Sequence, residues 1–179
     1  MQFLLYRHAE PVVSADEIIS GRDFPLWIKR YNESDILPID KSRPEEKIVY
    51  TSNLLRSIET GYAIGKKINV TSLLREAEIP LIQFPSKNLK AKVWLSIARV
   101  LWIAGVSKDC ESFEEAKSRA GKVVHMFKTP VPNEQRIVAV GHGFMNRLIK
   151  KELIRRGWTL KHSSKDHSFL SRMIFEIHD

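Results

Sequence analysis

The chain has 179 residues, 43% hydrophobic and 28% charged, with a net charge of +8, the profile of an ordinary soluble protein without repeats or low-complexity segments. This length supports one core, since a domain of the size buries about 70% of the surface its unfolded chain exposes. Cys110 is the only cysteine, which excludes an intramolecular disulfide and points to a reducing compartment.

In chain order, Phe3 to Tyr6 is predicted as a short buried strand, ending abruptly in Arg7-His8-Ala9-Glu10. An Arg-His pair where a strand emerges suits phosphate chemistry. A guanidinium matches phosphoryl oxygens bidentately, and a neutral imidazole nitrogen is a good nucleophile toward phosphorus. Taken alone, such a pair is more often a solvated or hydrogen-bonded structural one. The apolar run at Met1 to Tyr6 is too short for a signal peptide, so the expected location is the cytoplasm. Asp35 to Glu46, with Pro38, Asp40 and Pro44, is a surface connection.

Ile48 to Thr51 is the second predicted strand, and Leu54 to Ile68 a helix with Ser52 just before it and Arg56 one turn in. Val70 to Leu73 is the third strand, followed by Glu76 and Glu78. A helix follows over Leu89 to Ala104. The most apolar window, Val93 to Val106 around a single Arg99, falls short of the roughly 20 residues that span a bilayer. It fits either a core helix or a partly exposed lid. Glu111 to Phe127 is a helix opened by a Ser112–Glu115 capping box. Arg136 to Val140 is the fourth strand and runs into Gly141-His142-Gly143. Phe144 to Arg156 is a helix stopped by Gly157, and Ser171 to Ile177 is the fifth strand. This alternation predicts a three-layer α/β/α sandwich around a mostly parallel sheet. In such sheets sites form outside the carboxyl ends of the strands, where His8, Arg56 and His142 can converge.

The positive charge admits nucleic acid, an anionic membrane or a small phosphorylated substrate. The late basic cluster, Arg147, Lys150, Lys151, Arg155, Arg156, Lys161 and Lys165, reads as a solvated helix face, and few aromatics interleave with it. The expected partner is thus a small phosphorylated molecule, with no nucleic acid and no membrane; a homodimer is allowed. His125, His162, His167 and His178 match no zinc-ligand spacing and are predicted to be structural or surface residues.

Together these segments resemble the histidine phosphatase superfamily, also called phosphoglycerate mutase-like proteins, from Leu4 to Ile177. Arg7-His8-Ala9-Glu10 matches its Arg-His-Gly signature with alanine in place of glycine. Gly21-Arg22-Asp23-Phe24-Pro25-Leu26 is similar to its Gly-x-x-Asp-x-Pro-Leu segment. Ser52-x-Leu54-x-Arg56 with Thr60 fits its Ser-x-Leu-x-Arg-Ala-x-x-Thr helix start, and His142-Gly143 its late His-Gly.

The resemblance implies one domain over residues 1–179 with a small helical lid around 80–110. It implies His8 as a nucleophile that becomes phosphohistidine, with Arg7, Arg56, His142 and Ser52 binding phosphate, and no metal or cofactor. Leu74-Arg75-Glu76 resembles the family's Leu-x-Glu, making Glu76 the expected proton donor. Ala77-Glu78-Ile79-Pro80 follows instead of the usual glycines and aromatic, so Glu78 is the alternative. Glu10 is placed to orient a neighbour, and the connection carrying His167 and Ser168 is brought near the pocket rim. Ala9 is tolerated if its φ is negative and strained by roughly 1 kcal/mol or more otherwise. The implied activity is hydrolysis of a small phosphomonoester, by a chain short for a mutase. The alternatives are a phosphomutase, a protein phosphohistidine phosphatase and a noncatalytic phosphate-binding module.

Overall fold

Phe3, Leu4, Leu5 and Tyr6 are all buried, which requires a strand covered on both faces. The computed structural model describes residues 1–40, 46–81, 83–128, 136–164 and 168–177, and places that strand, β1 (Gln2–Arg7), well inside the sheet. The other elements are β2 (Ile18–Ser20), α1 (Phe24–Glu33), β3 (Glu46–Thr51), α2 (Leu55–Ile64), β4 (Gly65–Val70), β5 (Asn88–Lys90) and α3 (Ala91–Ile103). After them come α4 (Phe113–Lys128), β6 (Arg136–Gly141), α5 (Gly143–Arg155), β7 (Thr159–Ser163) and β8 (Arg172–Glu176). Six strands form one sheet in the order β4-β3-β6-β1-β8-β7. Pairing is parallel from β4 through β1 and antiparallel for β8 and β7.

Alternate residues of β1 and β6 point to opposite faces. Phe3, Leu5, Ile137 and Ala139 pack with Val123 and Phe127 of α4 and Met145 and Ile149 of α5. Leu4, Tyr6, Val138 and Val140 pack with Val49 and with Ile64 of α2. This is the three-layer, mostly parallel architecture anticipated from the sequence.

Two elements lie elsewhere than predicted, and four more, β2, α1, β5 and β7, were unanticipated. The helix expected over Leu54 to Ile68 stops at Ile64, and the strand expected at Val70 to Leu73 is instead β4, five residues earlier in its start; Ser72–Leu74 is a short 3₁₀ turn. β4 is an edge strand with exposed Lys66 and Lys67, so it lacks the apolar run of a central strand. The opposite edge, β7, is mostly exposed and escaped notice for the same reason. Helix α1, with proline near its start, was likewise not foreseen. The Ser112–Glu115 capping box is present in both directions, 2.7 Å from the Ser112 amide to Glu115 Oε2 and 3.2 Å from the Glu115 amide to Ser112 Oγ. Gly157 stops α5 at φ +89°, the left-handed conformation glycine adopts without strain.

A second, smaller core gathers beside the sheet. Phe24 and Trp27 of α1 meet Ile19, Phe84 and the Ala91, Trp94 and Ala98 face of α3. One turn on, Trp102 of the same helical face enters the main core, so α3 ties the two cores together. It is a core helix on this face and exposed on another, where Val100 and Ile103 lie. Among the described residues no helix is long and apolar enough to cross a membrane.

Gly21 sits at the closest approach within the smaller core. A Cβ there would lie 2.4 Å from the Pro85 carbonyl oxygen and 2.7 Å from Phe84 Cβ, so backbone would have to move. Gly21→Ala should therefore cost about 1–3 kcal/mol in urea unfolding, read by the fluorescence of neighbouring Trp94.

Candidate active site

Strands β3, β6 and β1 are neighbours and parallel, so their carboxyl ends open on one edge. The register sets Arg7 beside Gly141 and Thr51 beside Val140. The next residue of each chain segment is His8, His142 or Ser52, and the ladder continues through them: the His8 amide donates to Gly141 O at 3.0 Å and the Ser52 amide to Val140 O at 3.3 Å.

His8 is held from both ring nitrogens. Its Nδ1 lies 2.7 Å from the Ala9 carbonyl oxygen. A carbonyl only accepts, so Nδ1 carries the proton and Nε2 the lone pair. The Arg56 Nε–H donates to Nε2 at 3.2 Å, while its Nη1 donates to Asn32 Oδ1 at 3.0 Å. Thr60 fixes the segment from below: its hydroxyl donates to Arg56 O and accepts from the Ala9 amide at 2.9 Å. Among the described residues only Asp109 and Leu170 combine a side chain with positive φ, so Ala9 is unstrained.

The His142 ring stands 4.9 Å from that of His8. Its Nε2 is 2.6 Å from Ser52 Oγ, which also accepts from the Leu54 amide. Ser52 and His142 are both fully buried behind the cavity wall, with Ser52 Oγ bonded to the histidine ring. Buried Nδ1 of His142 has no hydrogen-bond partner among the described residues.

Glu76 caps α5. Its Oε1 accepts from the Ala77 and Met145 amides, both at 2.9 Å, and its Oε2 from Phe144 at 3.2 Å, where the helix amides lack intrahelical partners. Two arginines brace the segment carrying it. Arg119 donates to Leu73 O and Arg75 O, and Arg99 to Ala77 O and Glu78 O. Glu78 lies 3.6 Å from Arg75 in a partly exposed pair. Glu10 is exposed, and its carbonyl, not its carboxylate, is engaged, by the Leu37 amide.

These groups open on a cavity of about 680 Å³ lined by Arg7, His8, Arg56, Glu76 and Glu78. Sequence reasoning missed several neighbours. Tyr31 and Asn32 of α1 face Arg56, Phe169 packs 4.4 Å from the Arg7 guanidinium, and Arg75, Arg99 and Arg147 complete the cationic lining. Arg99 alone carried a signal, as the one charge in the most apolar window. Arg147, expected on a solvated helix face, is on the cavity wall. His125 and His162 are exposed. His167 and His178 lie outside the described residues.

The sequence matches the family model of the histidine phosphatase superfamily (branch 1) over residues 3–176. The chain belongs to that superfamily. No curated protein matches it. Solved structures share the histidine phosphatase fold at low identity. Mycobacterial hydrolase 1 aligns at TM-score 0.58 and 14% identity over 98% of this chain and 97% of that one. Mycobacterial glucosyl-3-phosphoglycerate phosphatase aligns at 0.55 and 15% over 86% and 79%. A phosphoserine phosphatase mutant from Entamoeba histolytica, in complex with phosphoserine, aligns at 0.54 and 16% over 86% and 80%.

In this member of the superfamily, burial is the largest influence on both imidazoles, and neighbouring guanidiniums add to it. His8 is pushed well below the ordinary histidine range by burial, then by Arg56 and Arg7. His142 is pushed the same way by burial, then by Arg56, His8 and Arg7. Both are neutral when folded, whereas unfolding returns each to a pKa of about 6.5 and lets it take up a proton. Their contribution to stability is therefore complete above about pH 6.5 and falls as pH drops below it. Urea unfolding between pH 5 and 7.5 should show this rise, and His142→Gln should flatten it by about half.

Proposed function

We propose that the protein is a phosphatase that hydrolyses a phosphomonoester through a phosphohistidine on His8. The observation that carries this reading is the hydrogen bond from His8 Nδ1–H to the Ala9 carbonyl, which leaves Nε2 as the nucleophile at the cavity wall. Substrate phosphate takes over the donors of Arg56, releasing the Nε2 lone pair. That lone pair attacks phosphorus in line as the bond to the alcohol oxygen breaks, the leaving oxygen keeping the electron pair and gaining a proton. Water then attacks phosphorus, the P–N bond returns its electrons to Nε2, and phosphate departs.

The transition state spreads charge over the equatorial oxygens, so catalysis is mainly positioning and charge stabilisation. Arg7 and Arg56 supply it at short range. The unpartnered Nδ1 of His142 is the group left for a phosphoryl oxygen, with Ser52 fixing its ring. No metal or cofactor enters this scheme. The segment around residues 80–110, centred on α3, acts as the lid of a single domain, and the compact chain favours hydrolysis over mutase re-transfer.

Proton donation is assigned to Glu76, which faces the cavity near Arg7 and Arg56. Because both its oxygens accept amide bonds, a second reading follows: a leaving group that departs readily, such as the imidazole of a protein phosphohistidine, needs little help from it.

His8→Ala should abolish turnover, and quenching wild-type turnover without acid should trap an acid-labile, base-stable phosphoenzyme on His8. A variant that turns over normally would remove the nucleophile assignment. General-acid help is worth about 10²- to 10⁴-fold for a basic leaving group. Glu76→Gln should thus slow alkyl phosphates by that order and p-nitrophenyl phosphate much less, with Glu78→Gln as control. Selective slowing by Glu78→Gln moves the acid there; insensitivity in both favours the phosphohistidine substrate.

A further inference from the structure

A cavity of about 680 Å³ is in the range that holds a drug-sized molecule, well beyond a phosphoryl group. Its lining divides chemically. Around His8 stand Arg7, Arg56, Asn32 and Glu76; away from it an aliphatic wall shares the lining with Arg75, Glu78, Arg99, Asp109 and Arg147. On α3, Leu95, Arg99, Val100 and Ile103 fall on one helical stripe facing the cavity, and Ile79 and Leu81 continue the wall in the segment after Glu76. Val100 is 66% exposed, Leu81 55% and Ile103 48%, so this wall presents apolar surface that none of the described residues covers.

The polar groups of the same wall are already engaged. Ser96 Oγ donates to Lys92 O at 2.8 Å. Arg99 is bonded to two carbonyls and packs over the Trp102 and Phe144 rings, and Arg75 pairs with Glu78. A polyhydroxylated leaving group would find these partners already taken.

We infer that the wall formed by Leu81, Leu95, Val100 and Ile103 binds the apolar body of the alcohol, making the substrate an amphiphilic phosphomonoester with a long aliphatic or ring-bearing leaving group. This rests on the phosphatase reading for its chemistry but is tested by binding alone. The occupant follows from continuity: the apolar stripe and the His8 nucleophile line one cavity, so one molecule with a phosphate head and an apolar tail fills both parts.

The test is calorimetric titration of the intact protein with methyl-, butyl- and octylphosphonate, which cannot be hydrolysed to an alcohol. Each buried methylene strengthens binding by up to about fourfold, and with partial burial octylphosphonate should bind about a hundredfold tighter than methylphosphonate. Val100→Asp and Leu81→Asp, at exposed positions, should each narrow the octyl-to-methyl ratio by about tenfold while the melting temperature holds. Equal affinity along the series overturns the inference, as does a ratio unmoved by both substitutions. If octylphosphonate gains nothing and sedimentation shows a dimer that Val100→Asp dissociates, the wall is a subunit interface and the inference is wrong. Loss of the phosphatase reading shows differently, as tail-dependent binding without hydrolysis of any phosphomonoester.

Discussion

The parallel register that sets Arg7 beside Gly141 and Thr51 beside Val140 brings three strand ends to one edge of the sheet. His8, His142 and Ser52 follow those ends directly, and backbone hydrogen bonds carry the ladder into them. A slip of one residue in β1 would turn His8 to the opposite face. The apolar alternation that packs Phe3 and Leu5 against α4 and α5, and Leu4 and Tyr6 against α2, prevents it. Core packing and site geometry are therefore one constraint.

Around that edge the protein buries one guanidinium and two imidazoles and partly buries a second guanidinium, that of Arg7. Burial lowers the affinity of all four for protons, and the positive neighbours reinforce the effect on the histidines. Such an arrangement is a liability for stability and an asset for anion chemistry: it holds both imidazoles neutral and keeps positive charge at short range. Contacts that offset its cost are local. Arg56 has Asn32 as a hydrogen-bond partner and Tyr31 under its guanidinium, and Arg7 has the Phe169 ring.

Helix α3 links the site to its surroundings. One face builds the smaller core, Trp102 joins the main one, and Arg99 reaches the carbonyls on either side of the Ala77–Glu78 peptide. The Phe144 ring under Arg99 belongs to the residue whose amide bonds Glu76. Movement of α3 would thus be felt at the carboxylate and at the start of α5. The same helix presents its aliphatic stripe to the cavity, so the cavity wall and the placement of Glu76 share one element.

Much of this was legible in the sequence, because central strands and helix signals are local. Phe3 to Tyr6 and Ile137 to Val140 are apolar runs that only doubly covered strands accommodate, with the Arg-His and His-Gly segments at their ends, and the Ser-x-Leu-x-Arg segment follows β3. The edge strands β4 and β7 were displaced or missed, since solvated strands need no apolar pattern. Tertiary structure alone decided which atoms meet. Nothing in the sequence tells that Ser52 stands behind His142, that Thr60 pins the Ala9 amide, or that Glu76 caps a helix nearly 70 residues later, with |i−j| of 68 to Phe144. Those contacts join segments remote along the chain, and their partners are chosen by strand register and packing rather than by neighbouring residues.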